Sequence, residues 1–343
     1  MSTSLRVLLL MHEDLMPPET IEGLSDKEIA PFKTEYDVWA GLVDLGHEVM
    51  KLGVYDDLGV IRQAIESFKP HITFNLLEEF HGESVYRHAV VSYLELLKQP
   101  YTGCNARGLM LGHDKALSKQ ILAYHRISVP QFAVFDLNKK VRRPRKLEFP
   151  LVVKSVSEEG SVGISQKSIV YDDDHLVDRV EFIHRKVGTD AIAERYIDGR
   201  EFYVGVMGNV RLQTLPIWEL TFTNLPEGAE PIATSRVKWD YGYQKRVGVK
   251  TRQAGDLDES QAHRIIKLCK RVYKALGLTG YARMDLRLNG EGQVYLIEAN
   301  PNPQLAYGED FAESAHAIGI DYGELLTKIL ALGLSYRAAW ALE

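Results

Sequence analysis

One predicted hairpin, residues 280–305, constrains the fold of this chain more than any other segment. Two apolar runs flank residues 289–292, NGEG, and such a turn sequence between apolar runs is typical of a tight antiparallel hairpin. The second run, 294–298, is apolar at both alternations, which indicates a strand covered on both faces. We therefore expect other parts of the chain to pack over both sides of this strand.

The polar residues of this hairpin are the first candidates for a functional site. Side chains two apart on a strand share a face, so Arg283 lies with Asp285 and Glu298 lies with Asn300. A carboxylate at the end of a covered strand is costly unless it is paired or bound to metal. One interpretation is a structural salt bridge between Arg283 and Glu298. The other is a Mg²⁺ site with Asp285, Glu298 and Asn300 as oxygen ligands and Arg283 as a charge stabiliser.

Length and charge restrict the class of protein. A chain of 343 residues exceeds one ordinary core and favours two or three domains. The net charge of −6 argues against nucleic acid as the main partner, because phosphate binding needs a basic face. The two cysteines, Cys104 and Cys269, form neither a disulfide framework nor a metal motif, which fits the cytoplasm. The apolar run 7–11 is too short for a signal peptide or a membrane span.

The first hundred residues predict an open α/β domain with a parallel sheet. Apolar strands alternate with helices, and residues 14–31 between them predict a long surface loop. The predicted strands are 5–11, 47–52 and 72–76, and the predicted helices are 32–45, 58–68 and 85–97. Glu78 and His81 follow the third strand, where ligands of such sheets bind, although both could equally be solvated loop residues.

Further along the chain, a second candidate site follows another strand. The strand 149–154, FPLVVK, ends in Lys154 and precedes the small-residue loop 155–164, SVSEEGSVGI. Such a loop can direct backbone N–H groups at phosphate, but without a Walker A signature it could also be a plain hairpin turn. Residues 218–252 are polar without a sustained period, and we interpret them as a flexible lid over the site. Residues 256–276 predict an amphipathic helix.

Taken together, these motifs carry a resemblance to a known family. The pattern R-x-D followed by E-A-N, the strand FPLVVK and the loop EGSVG resemble the ATP-grasp superfamily, and within it the D-alanine–D-alanine ligase family. The resemblance implies an N-terminal open parallel-sheet domain, a central small α+β domain and a C-terminal α+β catalytic domain. We place these domains at 1–103, 104–192 and 193–343.

The resemblance also implies roles for individual residues. ATP phosphates would be bound by two lysines and covered by the small-residue loop, and the adenosine by the segment after residue 193. The implied nucleotide-binding residues are Lys115, Lys154, Gly160, Ser161, Val162, Gly163, Glu194, Arg195, Ile197 and Glu201. Catalytic groups would be Arg283, Lys154, Lys238 on the lid and the backbone at Gln304. Two Mg²⁺ ions, with Mn²⁺ as an alternative, would bind Asp285, Glu298 and Asn300.

The chain departs from the family pattern where amino acids are recognised. The family's acidic residue near the N-terminus has no clear counterpart, and Glu13 or Glu35 could replace it. His81 keeps the family spacing to the following PYTG, and Glu78 lies nearby. On the mobile loops, Gly160 replaces a serine and Trp239 replaces the loop-closing tyrosine. These departures leave the amino-acid specificity open.

The function implied by the resemblance is an ADP-forming carboxylate–amine ligase. A substrate carboxylate would attack the γ-phosphate of ATP, and an amine would then attack the acyl phosphate. The substrates would be amino acids or small peptides, with no nucleic acid or membrane partner, and the resemblance allows a homodimer. The alternatives are a true D-alanine–D-alanine ligase and an ATP-binding protein without ligase chemistry.

Overall fold

The N-terminal part of the structure, a computed structural model that describes residues 4–158 and 160–338, is built on a parallel sheet. Three strands lie in the order β2-β1-β3, and both pairings are parallel, as predicted. The elements are β1 (Arg6–His12), α1 (Asp26–Ile29), α2 (Lys33–Asp44), β2 (Glu48–Val54), α3 (Gly59–Phe68), β3 (Ile72–Asn75) and α4 (Arg87–Leu96). Strand β1 is buried from Val7 onward, and residues 7–11 of this strand are entirely apolar.

The segment predicted as one long loop, 14–31, is more regular than expected. It contains two 3-10 turns, Glu13–Leu15 and Ala30–Phe32, and the short helix α1. Ser25 and Glu28 form a capping box at the start of that helix, with the Glu28 carboxylate accepting from the Ser25 N–H at 2.8 Å. The prediction missed this helix because four residues carry no hydrophobic period.

The central part holds a four-stranded antiparallel sheet with the order β4-β7-β5-β6. Two helices precede it, and one lies against it. The elements are α5 (Ala106–His113), α6 (Lys115–Tyr124), β4 (Phe132–Phe135), β5 (Leu151–Ser155), β6 (Ile169–Val170), α7 (Asp173–Phe182) and β7 (Ala191–Arg195). Asp114 caps α6 by accepting from the N–H groups of Ala116 and Leu117.

The C-terminal part is a five-stranded antiparallel sheet with the order β10-β9-β8-β11-β12. The predicted hairpin forms its last two strands, and the predicted amphipathic helix covers one face through Ile265, Cys269 and Val272. The elements are β8 (Arg200–Met207), β9 (Gln213–Phe222), α8 (Ser235–Trp239), α9 (Tyr241–Val247), β10 (Val249–Gln253), α10 (Glu259–Ala275), β11 (Tyr281–Leu288), β12 (Val294–Pro301), α11 (Asp310–His316) and α12 (Tyr322–Ser335).

The predicted lid, 218–252, contains more regular structure than the sequence indicated. Strand β9 continues to Phe222 and pairs with β10, and α8 and α9 lie between them. Strand β10 is an edge strand whose residues are exposed or half-buried, so it lacks the apolar alternation that marks a strand. Within the predicted lid, the long irregular connection is therefore limited to residues 223–234.

The N-terminal and C-terminal parts share a hydrophobic core. Helix α12 joins the core of the N-terminal sheet, where Leu326 and Ile329 are buried with Leu9 and Leu42. The proposed boundary at residue 193 assigns this helix to the catalytic part, so the domain limits stay a prediction. No helix in the described ranges is long and apolar enough to cross a membrane.

Candidate active site

The two strands of the C-terminal hairpin bring the predicted metal ligands together. Asp285 pairs with Glu298 and Arg283 pairs with Asn300 across the ladder, so all four side chains lie on one face of the sheet. Arg283 donates two hydrogen bonds to Asp285, at 2.8 and 3.0 Å. The Asn300 amide also donates to Asp285, at 2.9 Å. In the structure, Arg283 therefore pairs with Asp285, and not with Glu298 as the salt-bridge interpretation of the sequence proposed.

Glu298 is neutralised from a different part of the chain. Its carboxylate lies 2.9 Å from the ammonium of Lys115, the first residue of α6. The same ammonium donates to the backbone carbonyl of Glu158 in the small-residue loop. Lys115 therefore connects the proposed phosphate loop to a proposed metal ligand. A triphosphate bound between the loop and the metal site would need a cation at this position.

This donor set suits a hard divalent cation. The two carboxylates and one amide supply oxygen atoms of the type that Mg²⁺ prefers, and each carboxylate already has a cationic partner. Among residues 4–158 and 160–338, no three His, Cys, Asp or Glu side chains form a metal-binding cluster. The predicted metal site has two carboxylates and the Asn300 amide as its protein donors, and it stays a prediction.

One cleft gathers most of the proposed nucleotide-binding residues. It encloses about 780 Å³ of empty space, counting its open mouth, between the central and C-terminal sheets. The predicted residues that line it are Lys115, Lys154, Ser161, Glu194, Arg195, Ile197, Glu201, Asp285 and Glu298. Side chains from segments that lie far apart in sequence thus meet around one space.

Glu194 lies at the centre of a buried charge cluster at the floor of this cleft. One oxygen is 3.2 Å from the Lys154 ammonium and the other is 3.2 Å from Lys119. Burial opposes its ionisation, but the two lysines outweigh burial and hold the pKa of Glu194 below its ordinary value. Both oxygens therefore already face cations in the residue that the resemblance implies for nucleotide binding.

The two lysines respond differently to the same surroundings. Burial lowers the pKa of Lys119 to about 8, against the attraction of Glu194. Burial also opposes the charge on Lys154, but Glu194, Glu298 and Glu201 together raise the pKa of its ammonium. Lys119 was missed by the sequence analysis. Its position four residues after Lys115 on one helix was the available signal.

Arg287 is a second residue that the sequence analysis missed. It is 4% exposed, donates to the Ile197 carbonyl at 2.9 Å and lies 3.3 Å from the Glu201 carboxylate. It also donates to the Pro231 carbonyl in the irregular part of the lid, 223–234. Arg287 therefore fixes two of the residues proposed to bind adenosine. Its position two residues after Asp285, on the same strand face, could have indicated it.

The two mobile loops of the family pattern are connected by a hydrogen bond of their own. The indole N–H of Trp239 donates to the Gly160 carbonyl at 2.8 Å. Gly160 has a φ of +63°, and a Cβ at this position would lie 3.3 Å from the Trp239 ring. The glycine at 160 and the tryptophan at 239, which both depart from the family pattern, are thus compatible with each other. The indole N–H needs only a backbone acceptor on the opposite loop, so no serine side chain is required there. Ser161 adds a bond to the Ala233 carbonyl at 2.7 Å.

Other loop residues lie at the rim of the cleft. Val162 is 44% exposed, and the Gly163 carbonyl accepts from Arg179. Lys238 is half-buried on α8, and none of the ion pairs among the described residues includes its ammonium. The catalytic role that the resemblance implies for Lys238 stays a prediction.

A second cleft lies between the N-terminal sheet and the turn after β12. Glu35, Glu78, Arg87 and Gln304 line it, with Asn75 at the end of β3. Glu35 is 6% exposed, and burial, followed by repulsion from Glu78, raises the pKa of its carboxyl to about 7. This cleft contains one of the two acids that the sequence left open.

Two other predicted substrate residues lie outside the lining of both clefts. Glu13 is exposed in the 3-10 turn after β1, and His81 is exposed with its ring 3.7 Å from Asp56. A loop after a strand can turn away from the sheet edge, and the alternation of residues does not report that direction. Of the two acids near the N-terminus, the structure places Glu35 on the cleft and Glu13 on the surface.

The turn that carries Gln304 is held rigidly. The Asn302 side chain accepts from the Cys104 N–H at 2.8 Å, and the Asn302 N–H bonds to the Tyr281 carbonyl. The motif PYTG at 100–103 thus packs directly against this turn, since Gly103 lies against the Asn302 amide with no room for a Cβ. Gln304 itself is exposed toward the second cleft.

Comparison with known proteins agrees with this geometry. A family model described as D-ala D-ala ligase C-terminus matches residues 121–331. The D-alanine–D-alanine ligase of Bordetella avium (strain 197N) is 30% identical over 256 residues, covering 73% of this chain and 75% of that protein. Protein y4sG of Sinorhizobium fredii, described as uncharacterized, is 30% identical over 301 residues, with 85% of each chain covered.

Solved structures show the same arrangement of sheets. The crystal structure of D-alanine–D-alanine ligase from Bacillus anthracis complexed with ATP superposes with a TM-score of 0.74 at 25% identity, covering 96% of this chain and 98% of that one. The VanG D-Ala:D-Ser ligase of Enterococcus faecalis has a TM-score of 0.69 at 18% identity, which is a likeness of fold.

The three sheets and the cleft between the last two define an ATP-grasp enzyme, an ADP-forming ligase that joins a carboxylate to an amine. Within that class, the chain belongs to the D-alanine–D-alanine ligase family. Enzymes of this family use ATP, and the resemblance found in the sequence is thereby confirmed.

The bond between the loops gives a testable expectation. Replacing Trp239 with phenylalanine keeps an aromatic ring, smaller than the indole, and removes the N–H that donates to Gly160. We expect about a 3- to 10-fold fall in kcat, since a neutral hydrogen bond contributes about 1 kcal/mol. Steady-state kinetics would measure it, with Tyr241→Phe, an exposed aromatic neighbour, as the control. Equal kinetics for both variants would show that the bond has no part in loop closure.

Proposed function

We propose that this enzyme joins an amino acid or small peptide to an amine through an acyl phosphate, with ATP in the cleft lined by Lys115, Lys154 and Glu298. The observation that carries this proposal is the convergence of these residues, from separate segments of the chain, on one space. Lys154 and Lys115 would hold the phosphates, and Arg283 would stabilise charge that develops on the reacting group.

The metal belongs to the same proposal. Asp285, Glu298 and Asn300 would hold two Mg²⁺ ions, with Mn²⁺ as an alternative. The ions would supply charge neutralisation at the phosphate oxygens. Arg283 and Lys115 would then be released from their present carboxylate partners to face the ligand.

We further propose that the acyl substrate lies in the second cleft and carries an ammonium group. Glu35 is nearly buried there, and among the described residues it has no hydrogen-bonded or ionic side-chain partner. A buried carboxylate of this kind favours a cationic ligand. Gln304 lines the same cleft, so its backbone N–H, which would help Arg283 to hold an oxyanion, would lie beside the substrate.

An ADP-release screen tests the function. D- and L-amino acids are supplied in pairs with MgATP, and each acid is also supplied as its des-amino analogue, for example propionate for alanine. We expect ADP only when an amino acid and an amine are both present, and little with the analogue. ADP release at the same rate with and without the two substrates would contradict ligation. The Lys154→Ala variant gives the background.

The relatives' names make D-alanine with D-alanine the first pair of that screen. A dipeptide product from this pair would identify a true D-alanine–D-alanine ligase. Tight ATP binding without ADP release in any pair would support the alternative of an ATP-binding protein that lacks ligase chemistry.

A further inference from the structure

A buried lysine that none of the proposed steps uses connects the two halves of the nucleotide cleft. Lys119 lies on α6, one turn after Lys115, with 2% of its side chain exposed. Its ammonium is 3.2 Å from Glu194, which is on β7 of the central sheet. It also donates to the backbone carbonyl of Ile297, on β12 of the C-terminal sheet.

Ile297 is the extra residue of a β-bulge. Asp285 pairs with Glu298, but the next residue, Leu286, pairs with Leu296, so Ile297 has no opposite residue in the ladder. A bulge leaves the extra residue outside the regular pairing and redirects the strand at that point. The Lys119 ammonium donates a hydrogen bond to the carbonyl of this extra residue, which lies half-buried on the edge strand of the sheet.

The bulge decides which way the metal ligands point. Before it, Leu296 lies on the face of Leu286, opposite to the face of Asp285. In a regular strand, Ile297 would then share the face of Asp285, and Glu298 would share the apolar face of Leu296. The extra residue reverses this, so Glu298 and Asn300 lie on the face of Asp285.

We propose that Lys119 is a positioning residue that holds the bulge at Ile297 and thereby keeps Glu298 directed at the metal site. Its second contact, with Glu194, fixes the distance between the floor of the cleft and the metal-binding strand. The proposal rests on the proposed metal-binding role of Asp285 and Glu298. Burying a charge at this point is costly, and the two partners on separate sheets account for the position of the ammonium.

Mn²⁺ binding tests this role without turnover. Mn²⁺ is titrated by electron paramagnetic resonance against the enzyme with a nonhydrolysable ATP analogue, and analogue binding is measured separately in EDTA. Lys119→Met should raise the Kd for Mn²⁺ about 10-fold, as expected when a residue that orients a metal ligand is lost. Metal-free binding of the analogue should change less. Lys119→Arg keeps a cationic donor and should recover most of the loss.

Matched variants separate the outcomes. Lys140→Met, on the exposed surface, should bind Mn²⁺ as the wild type does. If Asp285→Asn leaves the Kd for Mn²⁺ unchanged, the proposed metal site is wrong. If Asp285→Asn weakens binding and Lys119→Met does not, or if metal and metal-free binding fall equally in Lys119→Met, the role of Lys119 is wrong. Should Lys119→Met not fold, Lys119→Gln retains a neutral donor and is measured in the same way.

Discussion

Lys154→Ala is expected to lower kcat by about 100- to 1,000-fold with every substrate pair, because it removes a fixed cation from the place where phosphate charge develops. The Lys154 ammonium is 3.2 Å from Glu194, and its pKa is raised by the carboxylates around it, so it is charged throughout the working pH range. Glu194 would keep Lys119 as a partner, which limits the cost to folding. ADP release at saturating ATP measures the effect.

Packing and charge can be separated at this position. Lys154→Met fills the same space without the charge, so it should lose activity as fully as Lys154→Ala while melting closer to the wild type. Lys140→Met, an exposed lysine on the same part of the chain, should retain full activity. Turnover in Lys154→Met within a few-fold of the wild type would overturn the phosphate role of this lysine.

The proposed ligands on the hairpin were predictable because the signal is local. The period of two residues along each strand predicts that Arg283 shares a face with Asp285 and that Glu298 shares one with Asn300. The ladder brings both pairs onto the same face. The sequence did not reveal the bulge at Ile297 that this arrangement requires. An apolar run predicts a strand whether or not that strand contains one extra, unpaired residue, so it does not indicate a bulge.

The charge cluster around Glu194 was not predictable in the same way. Lys119, Lys154 and Glu194 come from a helix and two strands, and only the packing of α6 against both sheets brings them within 3.2 Å. The sequence indicates Lys154 and Glu194 as nucleotide-binding residues, but nothing in it shows that they contact each other or Lys119. The same limitation applies to Glu13 and Glu35, since only the tertiary fold shows which one is buried beside a cleft.

A buried charged residue that binds a ligand lowers the stability of the folded protein when the ligand is absent, because its charge is then unpaired. Glu35 is expected to be such a residue. Its carboxyl is nearly buried, and burial raises its pKa from 4.5 to about 7. Below pH 4.5 the carboxyl is protonated in both the folded and the unfolded protein, so burial costs nothing. Between pH 4.5 and 7 the unfolded chain ionises first, and stability falls as pH rises; above pH 7 the penalty stays constant.

Glu35→Gln should therefore act in opposite directions on stability and on substrate binding. The variant should be more stable than the wild type by about 3 kcal/mol at pH 8, because each tenfold change in a dissociation constant is worth about 1.4 kcal/mol, and the gain should vanish near pH 4. Its KM for the amino-acid substrate should rise about 100-fold, since a broken buried charge pair costs about 2–5 kcal/mol.

Urea unfolding at several pH values and initial rates at varied acyl substrate measure both effects, with the exposed Glu66→Gln as the control. In the wild type, kcat/KM for an ammonium-bearing substrate should rise with pH through about 7, as Glu35 ionises, and this rise should be absent in Glu35→Gln. A stabilised variant with an unchanged KM would mean that Glu35 is a buried carboxylate without a ligand, and the acyl substrate would then have to be recognised elsewhere in the cleft.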